Sequence, residues 1–174
     1  MDLKGFSPLP DDAQLWIYGF QEPLKKSDKT LIGHTLEELV RGWVSHEMPV
    51  TAAFTVVFDR FVMIAAFSAN GISGCSIDSS VRPFKYFRDV HHLNALDRSL
   101  IFYRDGESVI QSSPCLRFQQ LVDSAVIGPR TPVFDTTLRS LGEVRKGGFE
   151  LPFESSWHAR SFPRSEKGRG LVDA

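Results

Sequence analysis

The sequence predicts an α+β fold, mainly antiparallel, in which two β-hairpins plus a first strand form the sheet and about three helices pack on it. Three observations carry this expectation. Runs rich in Val, Ile and Phe come in adjacent pairs at residues 51–67 and 100–111, and amphipathic patterns separate those pairs. Hairpins alternating with helices also argue against the repeated strand-helix-strand order of a doubly wound parallel sheet.

The elements follow in order. Gly5, Pro8 and Pro10 make residues 1–14 an irregular lead-in. Leu15-Trp16-Ile17-Tyr18-Gly19-Phe20 is aromatic and β-branched enough for a strand, and residues 21–33, with Pro23 and three lysines, read as an exposed loop. Thr35 and Glu38 have the spacing of a capping box, so a helix is expected to begin there, with Leu36, Leu39, Val40, Trp43 and Val44 on one stripe and Pro49 at its end. Within 51–67 the strongly polar break is Asp59-Arg60. Neither residue accepts positive φ as glycine does, which predicts a loop wider than two residues.

Ile77, Val81, Phe84, Phe87 and Val90 keep helical spacing and predict a helix over 78–91. Pro83 implies a regular start near Ser79 or Ser80, or an irregular opening turn. Residues 100–105 and 107–111 flank Asp105-Gly106, where glycine would supply the positive φ of a hairpin turn. Ser113-Pro114 predicts the start of a helix with Phe118, Leu121, Val122 and Ala125 on its apolar face and Gly128-Pro129 as its stop. A short strand is expected over 132–135. Residues 136–148 fit a strand extension or a short helix, and 149–162 read as irregular and aromatic. The resulting division is a lead-in over 1–14, one α+β domain over 15–162 and a disordered tail over 163–174.

Composition narrows the function classes. At 174 residues, 42% hydrophobic and 24% charged, the chain has the length of one domain and the means to bury a core rich in its fourteen Phe rings. Twenty basic residues against twenty-one acidic ones provide no long-range attraction for nucleic acid or anionic lipid. The longest apolar stretch, 61–67, falls far short of the about 20 residues that cross a bilayer. No secretory pattern opens the chain and Cys75 and Cys115 are its two cysteines, so two free thiols in a reducing cytoplasm are expected. Phosphate loop, paired-cysteine zinc spacing, His-Glu-x-x-His and dinucleotide fingerprint are all missing, so the sequence names no cofactor and no metal ligand set.

The candidate site is the segment Gly71-Ile72-Ser73-Gly74-Cys75-Ser76-Ile77-Asp78, a turn between a buried strand and a helix start. Backbone amides at such a turn face an anion, and a helix N-terminus stabilises thiolate over thiol. Ser73, Gly74 and Ser76 are candidate contacts for a small anionic ligand, and Asp78 a candidate contact or helix cap. Among the five histidines, His158 is the candidate acid or base for Cys75, because it lies in the irregular segment Ser156-Trp157-His158-Ala159-Arg160. His46 and His91-His92 sit at helix ends, where a dipole contact explains them. Arg160 is a candidate anion clamp, and Trp157 a stacking platform or a core anchor.

Trp16-Ile17-Tyr18, Ser73-Gly74-Cys75-Ser76-Ile77-Asp78 and Ser156-Trp157-His158-Ala159-Arg160 together resemble an uncharacterised family of small bacterial proteins, over about residues 15–162. Some members carry the label ABC transporter ATPase, which the missing phosphate loop does not support here. The resemblance implies importance for these segments and brings no activity with it. Two readings remain open: a small-ligand-binding or scaffold protein with an anion-accepting Gly-Cys turn, or a thiol-dependent enzyme of the acyl-transfer or hydrolase type using Cys75 with His158.

Overall fold

The computed structural model describes residues 1–45 and 47–165, with backbone alone for Cys75, Ser76, Ile77 and Ser79. His46 and the part of the tail from 166 to 174 lie outside the described residues. In chain order the elements are a 3-10 turn Lys4–Phe6, β1 Gln14–Gly19, α1 Lys26–Gly42, β2 Val44–Ser45, β3 Met48–Pro49, β4 Thr51–Val57, β5 Phe61–Phe67 and α2 Gly74–His91. Then come β6 Leu100–Arg104, β7 Ile110–Pro114, α3 Cys115–Asp123, β8 Pro132–Phe134, α4 Leu141–Arg145, β9 Glu150–Pro152, a second 3-10 turn Phe153–Ser155 and α5 Trp157–Ser161. The fold is α+β with antiparallel sheets, as the paired apolar runs predict. It divides into two compact units, residues 1–98 with 136–146, and residues 99–135 with the chain from 147 onward.

The first unit is built on a sheet of order β1-β5-β4, with Ile64 paired to Trp16 on one side and Phe54 on the other. β5 has a neighbour on each edge and residues 61–66 are all buried, which is why its sequence is a continuous apolar run rather than an alternation. Tyr18, Val62, Ile64 and Ala66 form one cluster with Ile32 and Leu36 of α1 and Phe84 and Phe87 of α2. The β4–β5 connection is wider than two residues, as Asp59-Arg60 predicts, and it places Phe58 (φ 55°) and Asp59 (φ 51°) in the left-handed region. Its neighbours hold it there: Phe20 donates its amide to the Arg60 carbonyl, Leu24 to the Asp59 carbonyl, and Lys29 Nζ pairs with Asp59 Oδ1 at 2.8 Å.

α1 corrects the expected start at Thr35. The helix begins more than two turns earlier, where the Asp28 carboxylate accepts the Lys25 amide at 2.8 Å. Thr35 lies mid-helix, its hydroxyl bonded back to the Leu31 carbonyl, and Ile32 with Leu36 gives the buried stripe that the loop assignment of 21–33 overlooked. The helix ends at Gly42 rather than Pro49, since 44–45 and 48–49 pair as the short ribbon β2–β3.

The second unit carries a sheet of order β7-β6-β8-β9. Ile101, Tyr103 and Val133 pack with Phe118, Leu121 and Val122 of α3, and Phe153, Trp157 and Phe162 close over them. The Arg104 guanidinium spans β8, lying 5.2 Å from the Phe134 ring centre and pairing through two nitrogens with Glu150. Within 136–148 a short helix, α4, forms at Leu141–Arg145 through the capping box of Ser140 and Glu143. α3 stops at Asp123, ahead of Gly128-Pro129, because Ala125 takes the left-handed position (φ 59°) after the helix. At 163–165 the chain bonds to α3, through Gln119 Nε2 to the Pro163 carbonyl and the Ser165 amide to Asp123 Oδ1.

The β6–β7 turn corrects another expectation. Positive φ falls on Ser108 (φ 63°), while Gly106 is not in the left-handed region and a Cβ added to it meets nothing within 4 Å. Asp105 organises the loop instead, accepting the Glu107 and Val109 amides on Oδ1 and Gln111 Nε2 on Oδ2. Moving the glycine by Gly106→Ala with Ser108→Gly is therefore expected to raise stability by about 1 kcal/mol, because the unfolded-state freedom removed at 106 offsets that added at 108 and the left-handed strain at 108 is relieved. A urea midpoint at or below that of the parent protein would count against this account. Among the described residues, no helix is long and apolar enough to cross a membrane.

Candidate functional site

The glycine segment lies in the first unit, between β5 and α2. Gly71 has φ +76°, a conformation that needs glycine, and its amide closes a turn on the Ser68 carbonyl. The turn is pinned from a distant part of the chain by Ser45 of β2, only 1% exposed: its hydroxyl donates to the Gly71 carbonyl (3.4 Å) and accepts the Ser73 amide (2.9 Å). Ser73 is half-buried beside it. Nothing in the local sequence points to Ser45, because its contact crosses about 26 residues and a buried serine carries no periodic signature.

α2 begins at Gly74, four residues before the expected Asp78, so Cys75 and Ser76 sit in its first turn. Asp78 is then an exposed residue of the second turn, not a cap. Gly74 is exposed, has no positive φ, and an added Cβ meets no atom within 4 Å, so neither conformation nor close packing demands glycine there. The helix also runs unbroken through Pro83, which is buried in its interior at the tenth position. The gain from apolar contacts overrides the intrinsic penalty of proline: Phe84 stacks on Tyr18 with ring centres 3.5 Å apart, and the Tyr18 hydroxyl bonds to the fully buried Ser80.

His158, Trp157 and Arg160 belong to the second unit. The irregular look of 149–162 suggested a projecting imidazole, but the ring is 1% exposed, stacked on Trp157 at 3.9 Å, near Phe118 at 6.1 Å, with Nδ1 3.2 Å from the Ser156 hydroxyl. Burial pushes its pKa down from 6.5 to about 4, with the nearby Asp135 charge opposing, so the ring is neutral at physiological pH. Trp157 packs against the core of α3 and its sheet, which fits the anchor reading better than the platform reading. Arg160 is exposed on α5. The six predicted contacts and two predicted catalytic residues thus divide between the units, with Ser73, Gly74, Cys75, Ser76 and Asp78 in the first.

Cys115 is a free, exposed thiol at the first position of α3, donating its S–H to the Ser99 carbonyl at 3.2 Å. Among the described residues, no three His, Cys, Asp or Glu side chains gather as a metal site. No family model, no curated protein and no solved structure matches the chain.

Proposed function

We propose that this protein is a small-ligand-binding or scaffold protein that accepts an anionic group at the Gly71–Gly74 turn and the first turn of α2. The observation that carries the reading is the exposed Gly74 at the start of an 18-residue helix whose first turn contains no acidic residue. The first amides of a helix lack intrahelical partners and sit at the positive end of its dipole. With no Cβ at 74, an anion can approach that backbone closely. The Ser45 hydroxyl adds rigidity, holding the preceding turn by both its donor and its acceptor.

Titration with inorganic phosphate, followed by amide chemical shifts, tests the reading. The amides of Gly74, Cys75 and Ser76 are expected to shift saturably, and Gly74→Glu to reduce the affinity about tenfold or more by placing a carboxylate over them. Absence of any saturable shift at these amides, or equal affinity in the Gly74→Glu protein, sinks the proposal.

The thiol-enzyme alternative keeps one supporting observation, the position of Cys75 in the first turn of α2, where the dipole favours thiolate. Its proposed partner is a poor general base: the His158 imidazole is sealed in the aromatic core of the second unit, and its pKa of about 4 lies well below the range that suits proton transfer at neutral pH.

A further inference from the structure

We infer that residues 136–146 form a detachable strap, fastened to the first unit by the lead-in through the Arg145 guanidinium. The strap has an unusual place in the chain. It enters from Asp135 and leaves at Gly147 (φ +84°), both residues of the second unit, while the strap itself belongs to the first.

Its fastening is specific. Arg145 Nη2 donates to two carbonyls of the lead-in, Phe6 and Leu9, each at 2.9 Å, and Nη1 pairs with the Asp11 carboxylate. The backbone continues the join: Gly142 donates to the Asp11 carbonyl at 2.8 Å, Leu141 to the Ala13 carbonyl at 3.0 Å, and Leu15 to the Arg139 carbonyl at 2.9 Å. Gly142 packs closely on the lead-in: a Cβ there would stand 3.0 Å from both the Cβ and the carbonyl oxygen of Asp11, so Asp11 would have to give way by a few tenths of an ångström. Phe6, Leu9, Leu141 and Val144 are all buried.

Two features make this join separable from the sheet. The acceptors of the guanidinium lie in the lead-in ahead of β1, so losing them removes no strand pairing from β1-β5-β4; the strap reaches β1 itself only at its start, through the Leu15 amide on the Arg139 carbonyl and an isolated antiparallel bridge of Gln14 with Ser140. The Arg145 side chain is also about a third exposed and its Asp11 partner two thirds, so water can reach and replace the pair. One side chain therefore satisfies two carbonyls and a carboxylate at a five-residue helix, and its loss leaves the strap on three backbone hydrogen bonds and the buried Leu141 and Val144.

Native-state hydrogen exchange on the full chain decides the matter. In Arg145→Met, the amides of Leu141 and Gly142 are expected to exchange about ten- to a hundredfold faster, while those of Val62 to Ala65 in β5 keep their parent rates. Gly142→Ala, which wedges the same join from the backbone side, is expected to give the same pattern without touching the guanidinium. Unchanged exchange at 141 and 142 in either variant, or equal acceleration in β5, overturns the strap and makes the lead-in an ordinary part of the core.

Discussion

Phe84→Ala is expected to destabilise the first unit by about 3–5 kcal/mol, a large share of the 5–15 kcal/mol typical of a domain. Phe84 has no exposed surface, lies face to face with Tyr18 at an interplanar angle of 13°, and meets the Phe87 ring edge-on at 5.7 Å. Truncation removes the ring and leaves a cavity at the joint between α2 and β1, where the fixed backbone of a paired strand limits collapse. It also undermines the Tyr18–Ser80 hydrogen bond, because the stacked ring holds the phenol in line with a buried hydroxyl one turn earlier on α2. Urea unfolding measures the cost, with Phe84→Leu as the control that refills most of the volume and recovers more than half of it. A loss below about 1 kcal/mol in Phe84→Ala would mean that α2 is not anchored through this ring. Under the proposed anion-binding function the same loss would reach the site, since Gly74 begins this helix.

The first strand and the strands of the two hairpins were legible because their signal is local, whereas β2, β3 and β9, at two or three residues each, carry no periodicity to read. β1, β4 and β5 declare themselves through apolar runs, and the hairpin between β4 and β5 follows from a single polar break. Helix starts were less legible, because the cap chemistry that decides them is easily imitated. Thr35 and Glu38 have capping-box spacing, yet the cap in use is Asp28, and Thr35 spends its hydroxyl on the Leu31 carbonyl mid-helix. Pro83 suppressed the true start of α2 because proline is normally read as a boundary, whereas here burial of Phe84 and Phe87 outweighs its missing amide. In the β6–β7 loop, the glycine drew attention to 106 although Asp105 shapes the turn and Ser108 takes the strain. The candidate segment was found by the order strand, glycine, cysteine, helix, but its support from Ser45 is a long-range contact that no local pattern encodes. The environment of His158 was misread for the same reason: an aperiodic stretch looks exposed until the rings of Phe118 and Trp157 are seen against the imidazole.

That enclosure makes His158 an acid-sensitive group of the second unit. Its imidazole titrates near 4 in the folded protein against 6.5 in the unfolded chain, because burial opposes the charged form. Above pH 6.5 neither state holds the proton and the histidine contributes no pH dependence. As pH falls below 6.5 the unfolded chain takes up the proton first, so stability declines, by about 2 kcal/mol at pH 5 and about 3 kcal/mol at pH 4. The upper part of this window belongs to the imidazole. Asp105, Asp123 and Glu143, whose carboxyls are held below their usual range by hydrogen bonds, lose their contribution only as pH approaches and passes below the ordinary carboxylate values. His158→Phe keeps a ring against Trp157 and removes the titration, so its stability is expected to be flat between pH 6.5 and 5 where the parent protein loses about 2 kcal/mol. Asp135→Asn acts in the opposite direction from relief: with the favourable charge gone, the folded-state pKa falls further and the decline continues to lower pH. Urea unfolding at half-unit pH steps, paired with an NMR titration of the His158 ring, separates these cases. A ring that titrates near 6.5, or a His158→Phe protein whose stability falls as steeply as the parent's, would mean that the imidazole reaches water. The case for His158 as a proton-transfer group would then reopen.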